Sequence, residues 1–230
     1  MDSNAASSLW IATLMQYSDG VLPVGSYAHS FGLEGMIQLK VVHDAESLAR
    51  FLLQDVTEVL KNVDLPLVAH AWRASQCRDF AQLIELDSLS KAVRPVRQLQ
   101  EAASKIGKQQ WKIYLETWGS SEPSIEGFHW KHHQSPVVLG TILELERAPL
   151  DAALWSCSYQ TFSALLQAAL KLLPIGPRMN QQLLHQALQA CQPTIDKAPN
   201  IAAEDIGSAN PTWDLAASLH AHAQARMFIS

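Results

Sequence analysis

With 230 residues, the chain is long enough to bury a substantial core as one large domain or two small ones. Its net charge is −5 and it has no run of basic residues, so nucleic-acid binding has little electrostatic support. Its three cysteines, Cys77, Cys157 and Cys191, are odd in number and far apart, which argues against a disulfide framework or a thiolate zinc site and fits reduced cytoplasmic thiols.

The first distinctive segment, residues 20–35, is apolar but interrupted by glycines and one proline. Pro23 fixes one backbone angle, and Gly25 permits a backbone conformation that other residues avoid. Ser26 is therefore predicted to cap a helix that begins near Tyr27, because its hydroxyl can accept from the amides of the first turn.

Helical periodicity governs the middle of the chain. After a candidate cap at Asp44, apolar residues recur with the three-and-four spacing of one helix face: Leu48, Phe51, Leu52, Val56, Val59, Leu60 and Val63. Asp64 is predicted to cap a second helix, with Pro66 near its first position. A further helix is predicted over 96–118, in which Gly107 either allows close approach of another backbone or is a tolerated weak point.

The second half of the chain is also helical in pattern. Helices are predicted over 135–145, 149–173 and 181–190. Residues 191–209 contain Pro193 and Pro199 and are expected to form a loop. Asn210 is predicted to cap a final helix that extends to Met227. With no strand alternation and no boundary in composition, residues 1–230 are predicted to form a single all-α domain of about eight to ten helices.

Neither a targeting signal nor a membrane span is expected. Residues 1–7 lack the basic and long apolar stretches of a secretion signal and are expected to be flexible. No charged residue occurs between Asp151 and Lys171, which is nearly the length of a span. This stretch contains many serine, threonine and glutamine residues, so it is predicted to be a helix buried by protein, and the chain is expected to be cytoplasmic.

The residues that could carry chemistry do not form a recognised catalytic pattern. The sequence has no Gly-x-Ser-x-Gly elbow, no phosphate-binding loop and no Gly-x-Gly-x-x-Gly motif. His129, His132 and His133 could bind Ni²⁺ or Zn²⁺ if they shared one helix face. Because Gly127 and Pro136 leave little room for a helix, a solvated loop cluster is the preferred interpretation.

Three further features have two interpretations each. Charged residues make up only 17% of the chain, which indicates either apolar surface for a partner or a compact core with glutamine, serine and alanine outside. Glu34 could form a local cap or ion pair, or face a partner. Lys171 could complement the negative end of its helix, or contact a partner.

Several short motifs, in order along the chain, resemble the UreF family of urease accessory proteins. They are the residues from Ser18 to Glu34, Asp64-Leu65-Pro66-Leu67, Arg94 with the stretch from Leu99 to Gly107, the residues from Pro136 to Gly140, those from Lys171 to Gly176, and the tail from Ala225 to Ser230. Each motif is weak alone, but together they cover nearly the whole chain.

The resemblance implies an all-α protein without enzymatic activity that acts in nickel insertion into urease. It implies binding to the accessory protein UreD (also called UreH), recruitment of the GTPase UreG, action on apo-urease, and homodimer formation, with Ni²⁺ handled by the complex rather than held firmly by this chain. The partner-binding residues that it implies are Pro23, Gly25, Ser26, Tyr27, Ser30, Gly32, Glu34, Lys171, Gly176, Arg226 and Phe228.

Two other hypotheses stay open at this point. The chain could be a metallochaperone that carries nickel on His129, His132 and His133. It could also be an enzyme whose site is assembled from distant residues, although no motif in the sequence supports that reading.

Overall fold

The computed structural model describes residues 8–119, 127–220 and 227–229. These ranges contain nine α-helices and no β-strand, which confirms the predicted all-α class. The helices are α1 (Leu9–Ser18), α2 (Leu33–Gln38), α3 (45–76), α4 (Phe80–Ala92), α5 (Arg97–Thr117), α6 (Ser135–Leu145), α7 (Leu150–Leu172), α8 (Pro177–Lys197) and α9 (Pro211–His220). Short 3₁₀ turns occur at Ser26–Ala28, Ala198–Asn200 and Ala203–Asp205.

Helix α3 begins at the predicted cap. The Asp44 carboxylate accepts a hydrogen bond from the Ser47 amide at 2.8 Å, and the Ser47 hydroxyl accepts one from the Asp44 amide at 3.0 Å, which is a reciprocal capping box. The helix then passes through two π-helical turns, Leu52–Val56 and Leu60–Asp64, and continues to Gln76.

The predicted second cap at Asp64 is wrong. The backbone of Asp64 is helical, and its side chain makes no capping hydrogen bond. The π turn Leu60–Asp64 comes directly before this segment. The first amides of the segment therefore donate to carbonyl groups of that turn and need no capping side chain. The Asp64 carboxylate instead pairs with the guanidinium of Arg94.

The core lies around α6 and α7. The second half of α3 crosses α6 so closely that a Cβ added to Gly140 would lie 2.5 Å from the Val68 carbonyl oxygen. Helix α7 is buried along much of its length, and its hydroxyls bond back to its own carbonyls, as Ser158 does to Leu154 at 3.0 Å. Because these hydroxyls find hydrogen-bond acceptors within their own helix, so polar a helix can be buried. The predicted burial of α7 is confirmed. Of the helices described, none is both long and apolar enough to cross a bilayer.

The expected loop over 191–209 is wrong in its first part. Helix α8 continues through Pro193 to Lys197, and only the residues beyond it form 3₁₀ turns and irregular backbone. A proline inside a helix costs about 3 kcal/mol. Cys191, Thr194 and Ile195 are buried on this last part of α8, and their packing against the core offsets that cost.

Helix α9 begins as predicted but does not extend as far. The Asn210 side-chain oxygen accepts from the Trp213 amide at 3.2 Å, which confirms the cap. The helix is described to His220, and Met227 lies in non-helical backbone, so the prediction that the helix extends to Met227 is wrong. The backbone at Met227 is held by hydrogen bonds to another part of the chain instead, as described below.

Gly107 in α5 allows a close backbone contact. A Cβ at this position would lie 2.0 Å from the carbonyl oxygen of His133. The hydroxyl of Ser104, one turn earlier, donates to the carbonyl of His132. The glycine therefore allows the segment that precedes α6 to pack directly on α5. This confirms that Gly107 permits close approach of another backbone and is not merely a tolerated weak point.

Candidate interaction site

Three distant segments of the chain meet at one place. The buried carboxylate of Glu34, which is 6% exposed, accepts hydrogen bonds from the amides of Met227 at 2.9 Å and Phe228 at 3.1 Å. Hydrogen bonds to an ionised acceptor are stronger than those between neutral groups. Glu34 therefore fastens the tail to the start of α2, almost two hundred residues away in the sequence.

The tail is held at two further points. The Ile229 amide donates to the Ala28 carbonyl at 2.9 Å, and the Lys171 ammonium lies 5.2 Å from the centre of the Phe228 ring. A cation over an aromatic face at this distance is attractive. We call this arrangement of Ala28, Glu34, Lys171 and residues 227–229 the tail site.

Glycines place α9 directly against α2 beside the tail site. Gly35 packs on the backbone of Ala216, where a Cβ would lie 2.2 Å from the carbonyl oxygen. Gly32 has a φ of 86° and faces Trp213, whose indole nitrogen donates to the Phe31 carbonyl at 2.8 Å. Neither position can hold a larger side chain. Gly35 lacks the space for a Cβ, and Gly32 lacks the space and also has a left-handed backbone that other residues avoid.

The predicted cap at Ser26 is wrong. Ser26 is the first residue of the 3₁₀ turn Ser26–Ala28, whose cap position is Gly25, and α2 begins only at Leu33. Gly25 does adopt the special backbone that was expected, with a φ of 81°. The 3₁₀ turn ends at His29, whose backbone is extended with a ψ of 136°, so no α-helix starts at Tyr27.

The other residues implied by the resemblance have varied environments. Pro23 and Tyr27 are exposed, Ser26 is half-buried, and Ser30 is buried. Gly176 is exposed at the start of α8, and no atom lies within 4 Å of a Cβ built there. Arg226 lies outside the described residues. The structure thus joins Glu34, Lys171 and Phe228 directly and places Gly32 beside them.

A cavity of about 200 Å³ extends from this region into the domain. Tyr27, Phe31 and Trp213 line part of it, and the Asp64–Arg94 ion pair lines another part. The side chains of that pair are only 13% and 15% exposed. Both residues belong to motifs on which the resemblance rests, but sequence spacing gave no reason to pair them across thirty positions.

Large apolar side chains stand exposed on the same elements. They are Tyr27 in the 3₁₀ turn, Leu215 and Leu219 on α9, and Met227 and Ile229 in the tail. Tyr27 is 67% exposed and Met227 is 63% exposed. Exposed apolar side chains grouped on neighbouring elements are typical of a protein-binding surface, which favours the partner interpretation of the low charge content.

The three candidate metal-binding histidines do not assemble into a site. His132 and His133 lie in the segment before α6, where the Asp87 carboxylate accepts from their backbone amides at 2.6 and 3.2 Å. Among the residues that the structure describes, no three His, Cys, Asp or Glu side chains are placed to hold a metal ion. The Asp87 carboxylate fixes the backbone of this segment rather than a metal.

Acid should destabilise the fold through His29. This residue is buried beside the tail site, and burial lowers the pKa of its imidazole, with a smaller contribution from the charge of Lys105. The unfolded chain therefore binds the proton more tightly, and stability that is full above the ordinary pKa of about 6.5 falls as the pH drops through it. We expect a lower melting temperature at about pH 5.5 than at about pH 7.5.

The matched comparison for this prediction is His29→Gln, which cannot titrate. His132 and His133 also have lowered pKa values, mainly through burial, so part of the acid sensitivity should survive in the variant. A melting temperature whose dependence on pH is the same in both proteins would show that His29 is not the group responsible.

Comparison with known proteins supports one family over nearly all of the chain. The sequence profile of the UreF family matches residues 42–188. A urease accessory protein UreF from Granulibacter bethesdensis is 31% identical over 220 residues, covering 94% of this chain and 92% of the relative. Another from Arthrobacter sp. (strain FB24) is 27% identical over 230 residues, covering 98% and 100%. A third, from Rhodopseudomonas palustris (strain BisA53), is 28% identical over 229 residues, covering 99% and 96%.

Proposed function

This chain belongs to the UreF family of urease accessory proteins, and from that membership we propose that it is a non-catalytic scaffold in urease maturation. It binds UreD (UreH), recruits the GTPase UreG and acts with them on apo-urease. Nickel is cargo of the complex in this proposal, and the chain does not hold it firmly. The protein works in the cytoplasm, as a homodimer.

The observation that carries the proposal is the tail site. Three segments that resemble family motifs, and that are far apart in the sequence, meet through Glu34, Lys171 and Phe228. Exposed Tyr27, Met227 and Ile229 belong to the same segments. A surface assembled in this way supports binding to another protein better than it supports catalysis, which needs a nucleophile, base or metal in a pocket.

The tail site also suggests how a scaffold of this kind is prepared for its partner. The backbone of residues 227–229 is fixed by three amide donors, so the apolar side chains of Met227 and Ile229 are presented in one arrangement. Fixing the tail before association reduces the conformational entropy lost on binding. A scaffold that also couples to a GTPase must bind its nucleotide states with different affinities.

Deleting residues 227–230 tests the role of the tail. We expect the truncated protein to keep its helical circular dichroism spectrum and to bind UreD more weakly, by about tenfold or more, because both apolar contacts and their anchor are lost. Glu34→Ala should weaken binding in the same way, and adding it to the truncation should cost little more, because both changes release the same segment.

Glu204→Gln serves as the control, since it removes an exposed carboxylate in the 3₁₀ turn at Ala203–Asp205. Unchanged UreD binding by the truncated protein would refute the role of the tail. If the intact chain forms no complex with well-folded UreD and UreG, by size-exclusion chromatography with light scattering, the scaffold proposal itself fails.

A further inference from the structure

A second surface, built from residues that the structure describes, carries a group of exposed lysines. We propose that the exposed lysines Lys91, Lys105, Lys108 and Lys131 form a docking surface for a protein partner that presents clustered carboxylates. We call these four residues the basic face. The basic face shares no residue with the tail site, and the proposed function assigns it no role.

Two backbone anchors bring the four lysines together from three elements. Asp87 on α4 accepts from the amides of His132 and Gln134 at 2.6 and 2.7 Å, and Lys91 lies one helical turn after Asp87. Lys131 directly precedes the anchored His132. The same segment therefore cannot move away from the C-terminal part of α4.

The other side of that segment lies on α5. The hydroxyl of Ser104 donates to the His132 carbonyl, and Gly107 seats the His133 carbonyl against the helix. Lys105 and Lys108 each follow one of these two contact residues and are exposed. Because α4, the segment and α5 are joined at these points, their lysines share one surface.

The electrostatic neighbourhood agrees with this placement. The pKa of the Glu101 carboxyl is lowered, first by the hydrogen bond from Arg97 and then by the charges of Arg97, Lys105 and Lys91. Lys91 and Lys131 both help to lower the pKa of His132, although burial is the larger cause there. Lys91 and Lys105 thus both lie near Glu101, and Lys91 and Lys131 both lie near His132.

The four lysines of the basic face outnumber the two carboxylates beside them, Asp87 and Glu101. The Glu101 carboxylate forms an ion pair with Arg97, whose Nε lies 2.7 Å from Glu101 Oε1. Within the described ranges, none of the four lysines has a carboxylate at ion-pair distance. Four lysines grouped on a chain of net charge −5 are a local reversal of sign, and like charges held together repel one another.

The sign and scale of this reversal favour an acidic protein over other anions. Charges are screened beyond about 8 Å at physiological salt, so a compact protein that docks here responds mainly to the basic face. An extended polyanion such as RNA would also meet the acidic remainder of the chain.

The position of the basic face suggests that the acidic partner belongs to the same assembly. Lys105 lies close enough to His29 for its charge to lower the pKa of that imidazole, although burial contributes more. His29 directly follows Ala28, which holds the tail. The basic face therefore borders the tail site.

The test compares wild-type protein with two charge-reversal variants. Lys105→Glu combined with Lys108→Glu alters the basic face, and Arg147→Glu combined with Lys197→Glu changes the net charge equally at exposed positions elsewhere. Binding to purified UreD, to purified UreG and to immobilised poly-L-glutamate is measured at about 50 and about 300 mM NaCl, with circular dichroism as the check on folding.

We expect the basic-face variant alone to lose about tenfold or more in affinity for poly-L-glutamate and for one of the two proteins, with wild-type binding to both weakened at the higher salt concentration. Equal binding by the two variants would overturn the proposal. Retention of wild-type protein on duplex RNA or on vesicles of anionic lipid, with none on poly-L-glutamate, would also overturn it. Because poly-L-glutamate is independent of the urease proteins, failure of the scaffold proposal would be seen separately.

Discussion

Removing the Arg94 guanidinium is expected to lower the free energy of unfolding by about 3 kcal/mol. Arg94 and Asp64 form an ion pair whose side chains are 15% and 13% exposed. Arg94→Met preserves most of the side-chain volume but leaves the Asp64 carboxylate in a largely apolar setting without its partner. The cost is the desolvation of that carboxylate, which the pair no longer compensates.

The second variant of this experiment is the double change Asp64→Asn with Arg94→Met. Because both charges are gone, the double variant should recover much of the loss. Urea unfolding of wild type, Arg94→Met, Asp64→Asn and the double variant gives the coupling free energy. Equal destabilisation by the single and double variants would mean that the ion pair contributes nothing and that packing of the Arg94 stem explains the loss.

Replacing Gly35 by alanine is expected to be comparably damaging, at about 3 kcal/mol. The new methyl group would lie 2.2 Å from the Ala216 carbonyl oxygen and 2.6 Å from its carbon. These are backbone atoms of α9, so no side-chain rotation can relieve the clash. Helix α9 must move away from α2, which would also disturb Trp213 and the adjoining tail site.

Gly176→Ala is the matched control, because its φ of −85° suits any residue and a Cβ there has no neighbour within 4 Å. We expect Gly35→Ala to unfold at lower urea concentration and to bind UreD more weakly, while Gly176→Ala remains as stable as wild type. Weaker UreD binding by Gly176→Ala with unchanged stability would identify Gly176 as a contact residue. A fully stable Gly35→Ala protein would contradict the close contact between α2 and α9.

The sequence was most informative where local chemistry determines structure. Asp44 was predicted as a cap, and the capping box with Ser47 confirms it. The limits of α6 and the burial of α7 were also predicted correctly, because Pro136 and Pro149 mark their starts and the absence of charge marks the burial. These signals depend on neighbours within one or two turns.

Predictions failed where distant residues decide the outcome. Pro193 suggested a loop, but tertiary packing of Cys191 and Ile195 keeps α8 helical around it. Asp64 was predicted as a cap because Pro66 follows it closely, but its carboxylate pairs with Arg94, thirty residues away. These two residues show that local propensity yields to packing and to ion pairing when the groups are buried.

The tail site was predicted in part from the sequence. The resemblance indicated Glu34, Lys171 and Phe228 as partner-binding residues, but not that they contact one another. Their meeting depends on α2, α7 and the tail being brought together by the whole fold. The basic face was missed altogether, since its lysines are spread from Lys91 to Lys131 without a contiguous basic run and form a group only where Asp87 and Gly107 anchor the intervening segment.

The two π-helical turns of α3 have a consequence for how this family changes in evolution. A π turn holds one more residue than the α-turn it replaces, and the wider turn absorbs that residue, so the helix downstream faces the same way with or without it. The segment beyond Asp64 carries Val68, which meets Gly140. A single deletion within either π turn would therefore restore an α-turn and leave Val68 facing α6, whereas a deletion in the α-helical turn between Asp64 and Val68 would rotate the rest of the helix by about 100° about its axis. Sequence alignments of relatives should accordingly show single-residue gaps within Leu52–Val56 or Leu60–Asp64.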